Sequence, residues 1–256
     1  MRDLLGVDDP ALLLRTAIGI VVLVAAAMGL LRLGGVRLGA QPVIAVGRAI
    51  LQLGLASVIL SGALTLPWTV VAVLAFMLTM ASATSAGRLA ALDGGRSAAA
   101  LAVVAGAVIS VVAVFALGMM QHTARDVIAI GGIVTGNAMT AATLSGRQFR
   151  TLASHRSGEV EAWWALGATS PIAFADVGRH AVRDALVPNL DQTRSSGVVT
   201  LPGAFIGALA GGASPVEAAR FQVVVLVAIL FAQVISALVV TRRLARSGRL
   251  PLAEDD

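Results

Sequence analysis

The feature that most constrains this sequence is a series of apolar segments, each near the roughly 20 residues that a helix needs to cross a bilayer. Seven segments can be distinguished, at 11–32, 42–64, 66–87, 97–120, 126–146, 195–213 and 218–241. Only 13% of the residues are charged, which is too little charge to coat a soluble globule of this length. The sequence therefore predicts an all-α, polytopic membrane helix bundle that forms a single transmembrane domain over residues 1–256.

The distribution of arginine predicts the orientation of this bundle. If the N-terminus lies outside, the inner connections hold fourteen of the 19 basic residues and the outer segments hold two. Cytoplasmic loops carry such an excess of basic residues. We therefore expect the N-terminus outside, the C-terminus inside and a cytoplasmic tail over 242–256. The acidic leader over 1–10 is not typical of a signal peptide.

The segment 195–213 is the least typical span, because it is short, rich in glycine and contains Pro202. We expect it to span, with a broken or re-entrant helix as the alternative. If it did not span, the C-terminal arginines would lie outside, against the arginine rule.

Two missing residue types exclude several kinds of chemistry. The chain has no cysteine, so it has no disulfides, thiolate metal sites or cysteine nucleophiles. It also has no lysine, which excludes a phosphate-binding loop that ends in Lys-Ser or Lys-Thr. Any work driven by ATP must therefore use another chain. The three histidines fall in predicted connections, too far apart in sequence to suggest a metal site, and neither a metal nor a nucleic-acid partner is expected.

One predicted inner connection, 146–194, is much longer than the others and holds six arginines and five acids. Long loops with their own periodicity are usually functional. Its pattern predicts one helix over 158–167 and a second from Ser170-Pro171 to Pro188. One interpretation is a pair of amphipathic helices on the inner membrane surface. The other is a docking surface for a cytoplasmic partner, with Glu161 and the turn 167–169 presented to it.

Several segments carry a family resemblance. Glu161-Ala162 followed by Gly167 resembles the start of the EAA motif, which forms the coupling helix in permeases of ABC transporters. GRAILQLGL at 47–55, GNAMTAATLSGRQF at 136–149, EAWWALGATS at 161–170 and the stretch 185–222 resemble the FetB-type permeases. Within that stretch, TLPG and GGASP are the most distinctive parts. The family covers bacterial iron exporters and plant aluminium-tolerance permeases.

The resemblance implies a permease subunit in a bacterial inner (plasma) membrane that exports iron or another metal ion. It implies a homodimer, surrounded by membrane lipid, that pairs with a separate FetA-like ATPase. That partner would use ATP and Mg²⁺, while this chain binds no cofactor and has no enzymatic activity of its own. The coupling residues carried over from the motif are Glu161, Gly167, Ala168 and Thr169.

Polar side chains within spans are costly and usually face the bundle interior or a water-filled path. The candidates for the translocation path are Arg48, Gln52, Asn137, Thr140 and Gln222. The alternative for the amide side chains is hydrogen bonding between helices, worth about 1 kcal/mol or less each.

Two rows of small residues predict close helix packing within a subunit or between two. They are Gly132, Gly136 and Thr140, and Gly203, Gly207 and Gly211.

Two other function classes fit the topology less well. An intramembrane serine protease needs a histidine at membrane depth, and no histidine lies in a predicted span. A seven-helix receptor has the expected topology, but without lysine the chain cannot bind retinal as a Schiff base.

Overall fold

In the computed structural model, residues 10–63, 67–247 and 249–250 are described. This part of the chain contains ten helices and no β-strand, apart from one isolated bridge between Ser196 and Thr200. The helices are α1 (Pro10–Leu33), α2 (Gln41–Ala63), α3 (Pro67–Arg88), α4 (Gly95–Ala116), α5 (Ala124–His155), α6 (Ser157–Ala165), α7 (Ser170–Ala173), α8 (Ala175–Ser195), α9 (Gly203–Ala210) and α10 (Pro215–Ala245).

The chain divides into two units, Met1–Ala63 and Leu64–Asp256. The first contains α1 and α2, whose described side chains are largely exposed. Glycines with positive φ, Gly35 at 75° and Gly39 at 55°, shape the connection between them. This left-handed backbone is accessible to glycine without a steric penalty.

The second unit is built around α5 and α10, which pack side by side and run in the same direction. Near their beginnings, the guanidinium of Arg220 in α10 donates to the carbonyl of Met119, five residues before α5 begins. At mid-length, the Gln233 amide donates to the Asn137 side chain over 3.2 Å. Towards their ends, Phe149 of α5 and Leu244 of α10 join one buried cluster.

Two further helices complete this core. α4 runs antiparallel to α10, because Ser236 late in α10 donates to the carbonyl of Ala102 early in α4. α3 runs parallel to α5, because Leu74 of α3 lies against Gly131 and Leu89, the residue directly after α3, lies against Gly146. The interior is lined mainly by alanine and valine, small side chains that allow helices to approach closely in a bilayer.

The all-α class is confirmed, and five helices have the length and apolar composition of membrane spans: Ala11–Leu33, Trp68–Arg88, Gly95–Ala116, Ala124–His155 and Pro215–Ala245. α2, at 23 residues, is also long enough to cross a bilayer. Two predicted spans are extended at both ends, because 126–146 becomes the 32-residue α5 and 218–241 becomes the 31-residue α10. The connection after α5 therefore begins at residue 156, and α10 takes in the first residues of the predicted tail.

The prediction that 195–213 forms a spanning helix is wrong. Residues 196–202 form no helix, and α9 has only eight residues, or about 12 Å. Gly197 has a φ of 89°, and Pro202 lies at the N-cap of α9. These two residues separate α8 from α9, and the eight residues that follow are too few for a membrane-spanning helix.

The prediction that Pro188 ends a helix is also wrong, because α8 continues through it to Ser195. Proline in a helix interior removes one hydrogen bond and clashes with the preceding turn. α8 nevertheless stays helical while packed against α5 and α10, with Ala185 buried before the proline and Asn189 half-buried after it.

Helices α4 and α10 approach each other closely at Gly106 of α4. A Cβ atom there would collide with the side chain of Ser236 and lie 2.7 Å from the carbonyl oxygen of Ala232. Gly87 of α3, in contrast, has no such neighbour within 4 Å.

We predict that Gly106→Ala lowers the thermal stability of the purified protein in detergent, because forcing a methyl group into a filled contact costs about 1–3 kcal/mol. Gly87→Ala is the matched control. It should leave the melting temperature unchanged or slightly raised, since alanine favours a helix by about 0.5–1 kcal/mol over glycine. Equal melting temperatures for the two variants would contradict the close α4–α10 contact.

Candidate functional site

The segment between α5 and α8 forms a compact projection at one end of the core, which we call the α6–α7 turn (residues 157–174). Its inner side is held by Val160 and Phe174, both fully buried. The Phe174 ring lies 5.4 Å from that of Phe149 in α5 and meets Trp164 edge-on at 5.7 Å. Such tilted and edge-to-face pairs are favourable beyond the area that they bury. The turn is therefore packed onto the core and does not hang free as a loop.

An ionic network ties the two ends of the turn together. Arg156, just before α6, donates to Asp176 at the start of α8 over 2.6 Å and to Glu159 over 2.8 Å. Asp176 also accepts from Arg179 over 2.9 Å. The hydrogen bond from Arg156 is the main reason that the pKa of Asp176 is lowered, and the bond to Asp176 raises the pKa of Arg156. Because these groups are partly exposed, each pair is weaker than a buried one would be.

The tip of the turn is shaped by Gly167. Its φ is 83°, its N–H donates to the carbonyl of Trp164, and the N–H of Ala168 donates to the carbonyl of Trp163. This pair of bonds is the Schellman arrangement, in which a left-handed residue ends a helix. Glycine is preferred there because a Cβ atom would be strained.

The predicted coupling residues lie on the α6–α7 turn, Glu161 within α6 and Gly167, Ala168 and Thr169 at or just after its end. Glu161, Gly167 and Thr169 are exposed, and Ala168 is half-buried. Large apolar side chains accompany them, with Leu166 81% exposed and Ile172 55% exposed. The α6–α7 turn thus combines the Glu161 carboxylate with exposed apolar side chains, and exposed apolar patches are typical of protein interaction sites.

The predicted path residues lie on three helices and differ in their surroundings. Arg48 and Gln52 are exposed on α2 in the first unit. Thr140 on α5 is exposed, and its hydroxyl donates to the carbonyl of Gly136 in the preceding turn. Gln222 is buried in α10, and its side-chain oxygen has no hydrogen-bond partner among the described residues.

Asn137 pairs with a residue that the sequence did not put forward for the path. Its side-chain oxygen accepts from Gln233, and its amide nitrogen donates to the carbonyl of Ile133. Gln233 is 5% exposed, so this contact joins α5 to α10 inside the core. The sequence shows that Asn137 and Gln233 are both polar residues near the middle of predicted spans. It does not show that these two helices are neighbours, so the contact could not be predicted.

The predicted glycine rows make few close contacts within the described chain. A Cβ on Gly132 would touch only the flexible end of Met77, and Gly136, Gly203 and Gly207 face open space. Gly211 lies near carbonyls of its own segment. Packing of these rows against a second subunit stays a prediction.

Among the described residues, no group of three or more His, Asp or Glu side chains is placed to hold a metal ion. His155 ends α5, whereas the sequence placed it in the connection after that span, and His180 lies in α8, within the region predicted to form the second loop helix. Only His122 lies in a connection, with its ring 5.4 Å from that of Phe115.

The ionic network predicts a pH dependence. Because the pKa of Asp176 is lowered on folding, its contribution to stability is present above its unfolded value near about 4 and is lost as the pH falls through the lowered value. Asp176→Asn should therefore reduce the melting temperature at pH 7, and this difference should shrink on acidification below about pH 4. Asp191→Asn, which removes an exposed pair within α8, is the control and should have little effect. A pH-independent difference for Asp176→Asn would contradict the assignment.

Comparison with known proteins places these features in a family. The profile described as "Uncharacterised protein family (UPF0014)" matches residues 14–248. The rice (Oryza sativa subsp. japonica) protein named UPF0014 membrane protein STAR2 is 34% identical over 200 residues, covering 77% of this chain and 70% of that protein. A UPF0014 membrane protein of Synechocystis is 31% identical over 234 residues, covering 88% and 89%.

A third relative is the Escherichia coli protein named probable iron export permease protein FetB. It is 31% identical over 125 residues, which cover 49% of this chain and 48% of that protein. No solved structure matches the chain significantly. The predicted family resemblance and the predicted multi-pass membrane location are confirmed. The chain belongs to the UPF0014 family of membrane proteins.

Proposed function

We propose that this chain is the membrane-spanning subunit of an ABC transporter and exports iron, or another metal ion, with energy from ATP hydrolysed by a separate subunit. The observation that carries the proposal is the exposed, anchored α6–α7 turn. In the turn, Glu161 and Gly167 have the spacing of the coupling motif. The positive φ of Gly167 at the end of α6 explains why glycine is preferred at this position.

The turn is suited to transmit force. Its buried residues belong to the same cluster as residues of α5 and α10, the two longest helices of the described chain. Arg156 and Asp176 hold its ends together. Because packed interiors resist deformation, a displacement of the tip by a partner would move the inner halves of both helices. Such movement is what a transporter that alternates between two conformations needs.

The energy source is proposed to be another chain, since this sequence lacks the lysine of a phosphate-binding loop. ATP and Mg²⁺ would bind to that ATPase. A second copy of this chain would complete the membrane part of the complex. Arg48, Gln52, Asn137, Thr140 and Gln222 remain proposed path residues.

Iron as the substrate rests on the name of the Escherichia coli relative. Another relative, from Arabidopsis thaliana, is named Protein ALUMINUM SENSITIVE 3 and is 34% identical over 174 residues. A metal ion is a hydrophilic substrate, which agrees with a path lined by polar side chains.

The first test concerns the coupling assignment. The chain should have no ATPase activity alone and should copurify with its cognate ATPase. Glu161→Ala should weaken that complex about tenfold or more, as expected for an interface residue worth about 1.4 kcal/mol or more. Gly167→Ala should weaken it through the cost of about 1–2 kcal/mol for a left-handed non-glycine residue, and Gly167→Asn should do so less.

Asp126→Asn is the control, because that carboxylate lies at the opposite end of α5 and should leave the complex intact. Unchanged binding and ATPase stimulation in the Glu161 and Gly167 variants would refute the coupling assignment.

The second test concerns the substrate. Deletion of this chain in its own host should raise cellular iron and sensitivity to peroxide, and the wild-type chain should restore both. Measurement of cell metals by mass spectrometry would show which ion accumulates. No change in iron or peroxide sensitivity would remove iron as the substrate and leave the permease proposal in place.

A further inference from the structure

The parallel arrangement of α5 and α10 creates a topological requirement. Both helices are long enough to span a bilayer and point the same way, so the chain leaves α5 at one membrane face and enters α10 at the other. The segment 156–214 must therefore cross the membrane an odd number of times. α9 is too short to cross as a helix.

α8 is the one described helix in this segment that is long enough, since its 21 residues extend about 31 Å. It starts beside the far end of α10, where Gly178 lies against Thr241. α10 ends only four residues later, at Ala245. If α8 ran in the same direction as α10, it would pass the end of α10 and lose contact with it after about 6 Å.

The burial of α8 shows that it turns back along the core instead. Ala181 and Ala185 are buried, and Asn189 and Thr193, further along the same face, are half-buried. The side-chain nitrogen of Asn189 is inaccessible to solvent, about 16 Å beyond Gly178. Among the described helices, α8 packs against α5 and α10 and against its neighbour α7, and against no other. It therefore lies antiparallel in the groove between them.

The other face of α8 is too polar to meet lipid. Arg183, Asp184, Asp191 and Gln192 are all exposed within the second unit. Arg194 and Asp191 form an exposed ion pair near the end of the helix, with a separation of 3.3 Å. Charged side chains at membrane depth almost always face a water-filled cavity or the protein interior, since their transfer into hydrocarbon is costly.

We infer that α8 from Gly178 onwards is the sixth membrane crossing, with Asp176 outside the span, and that its face carrying Asp184, Val187 and Asp191 lines a water-filled pathway through the membrane. The inference rests on the proposed function, which it deepens by naming the lining helix. The face carries both signs of charge, so the pathway suits a hydrophilic solute and not a lipid. This crossing also leaves the C-terminal arginines inside, as the distribution of arginine requires.

The absence of cysteine from the sequence makes the crossing directly testable with single cysteines. Val198→Cys, just after α8, should react with a membrane-impermeant maleimide from the same side as Val216→Cys at the start of α10. Leu166→Cys on the α6–α7 turn should react only from the other side. All three positions are highly exposed, at 92%, 78% and 81%. Labelling of Val198→Cys from the side of Leu166→Cys would overturn the crossing.

A matched pair of valines tests the water-filled pathway. Val187 on α8 and Val108 on α4 are exposed to similar extents, 41% and 44%. In membrane vesicles opened to the reagent on both sides, Val187→Cys should react at least tenfold faster than Val108→Cys, since maleimides attack the thiolate that forms in water. Equal rates would overturn the pathway assignment.

These readouts do not require an ATPase or a transport assay. Failure of the labelling pattern would leave the docking role of the α6–α7 turn intact. Loss of the ATPase complex from the proposed function would leave the position of α8 intact.

Discussion

The parallel packing of α5 against α10 is the interaction on which the rest of the structure depends. Neighbouring helices joined by a short connection are normally antiparallel, as α4 and α5 are. A parallel pair obliges the intervening chain to return to the starting face. The long polar segment between the two helices meets that obligation, and its position against both of them follows from it.

The same pair organises the functional end of the molecule. Phe149 of α5 and Leu244 of α10 help to form the buried cluster that receives Val160 and Phe174. Above this apolar base, Arg156 and Asp176 hold the two ends of the turn together. Because burial fixes the base and the Schellman bonds fix the tip, the exposed residues between them are held in a defined geometry.

Sequence reasoning succeeded where the physical signal is local. The length of apolar segments predicted the helical membrane class, and Ser170-Pro171 marked the start of the second loop helix. It failed at 195–213, because apolar composition suggested a span where Gly197 and Pro202 interrupt the helix. It failed at Pro188, because proline usually ends or breaks a helix and α8 continues through it. Packing against α5 and α10 stabilises α8, and these contacts join residues far apart in the sequence, so a local pattern does not reveal them. The partnership of Asn137 with Gln233, 96 residues apart, was hidden for the same reason.

The length of α5 has a mechanical consequence. At 32 residues it extends about 48 Å, about 18 Å more than the hydrocarbon core of a bilayer. The surplus carries the ends of α5 beyond the hydrocarbon core, and the α6–α7 turn follows one of these ends. A partner seated there would push on the end of a lever, so a small shift of the tip would become a tilt of the whole helix. The wall of small residues around α5 would allow that tilt with little side-chain rearrangement.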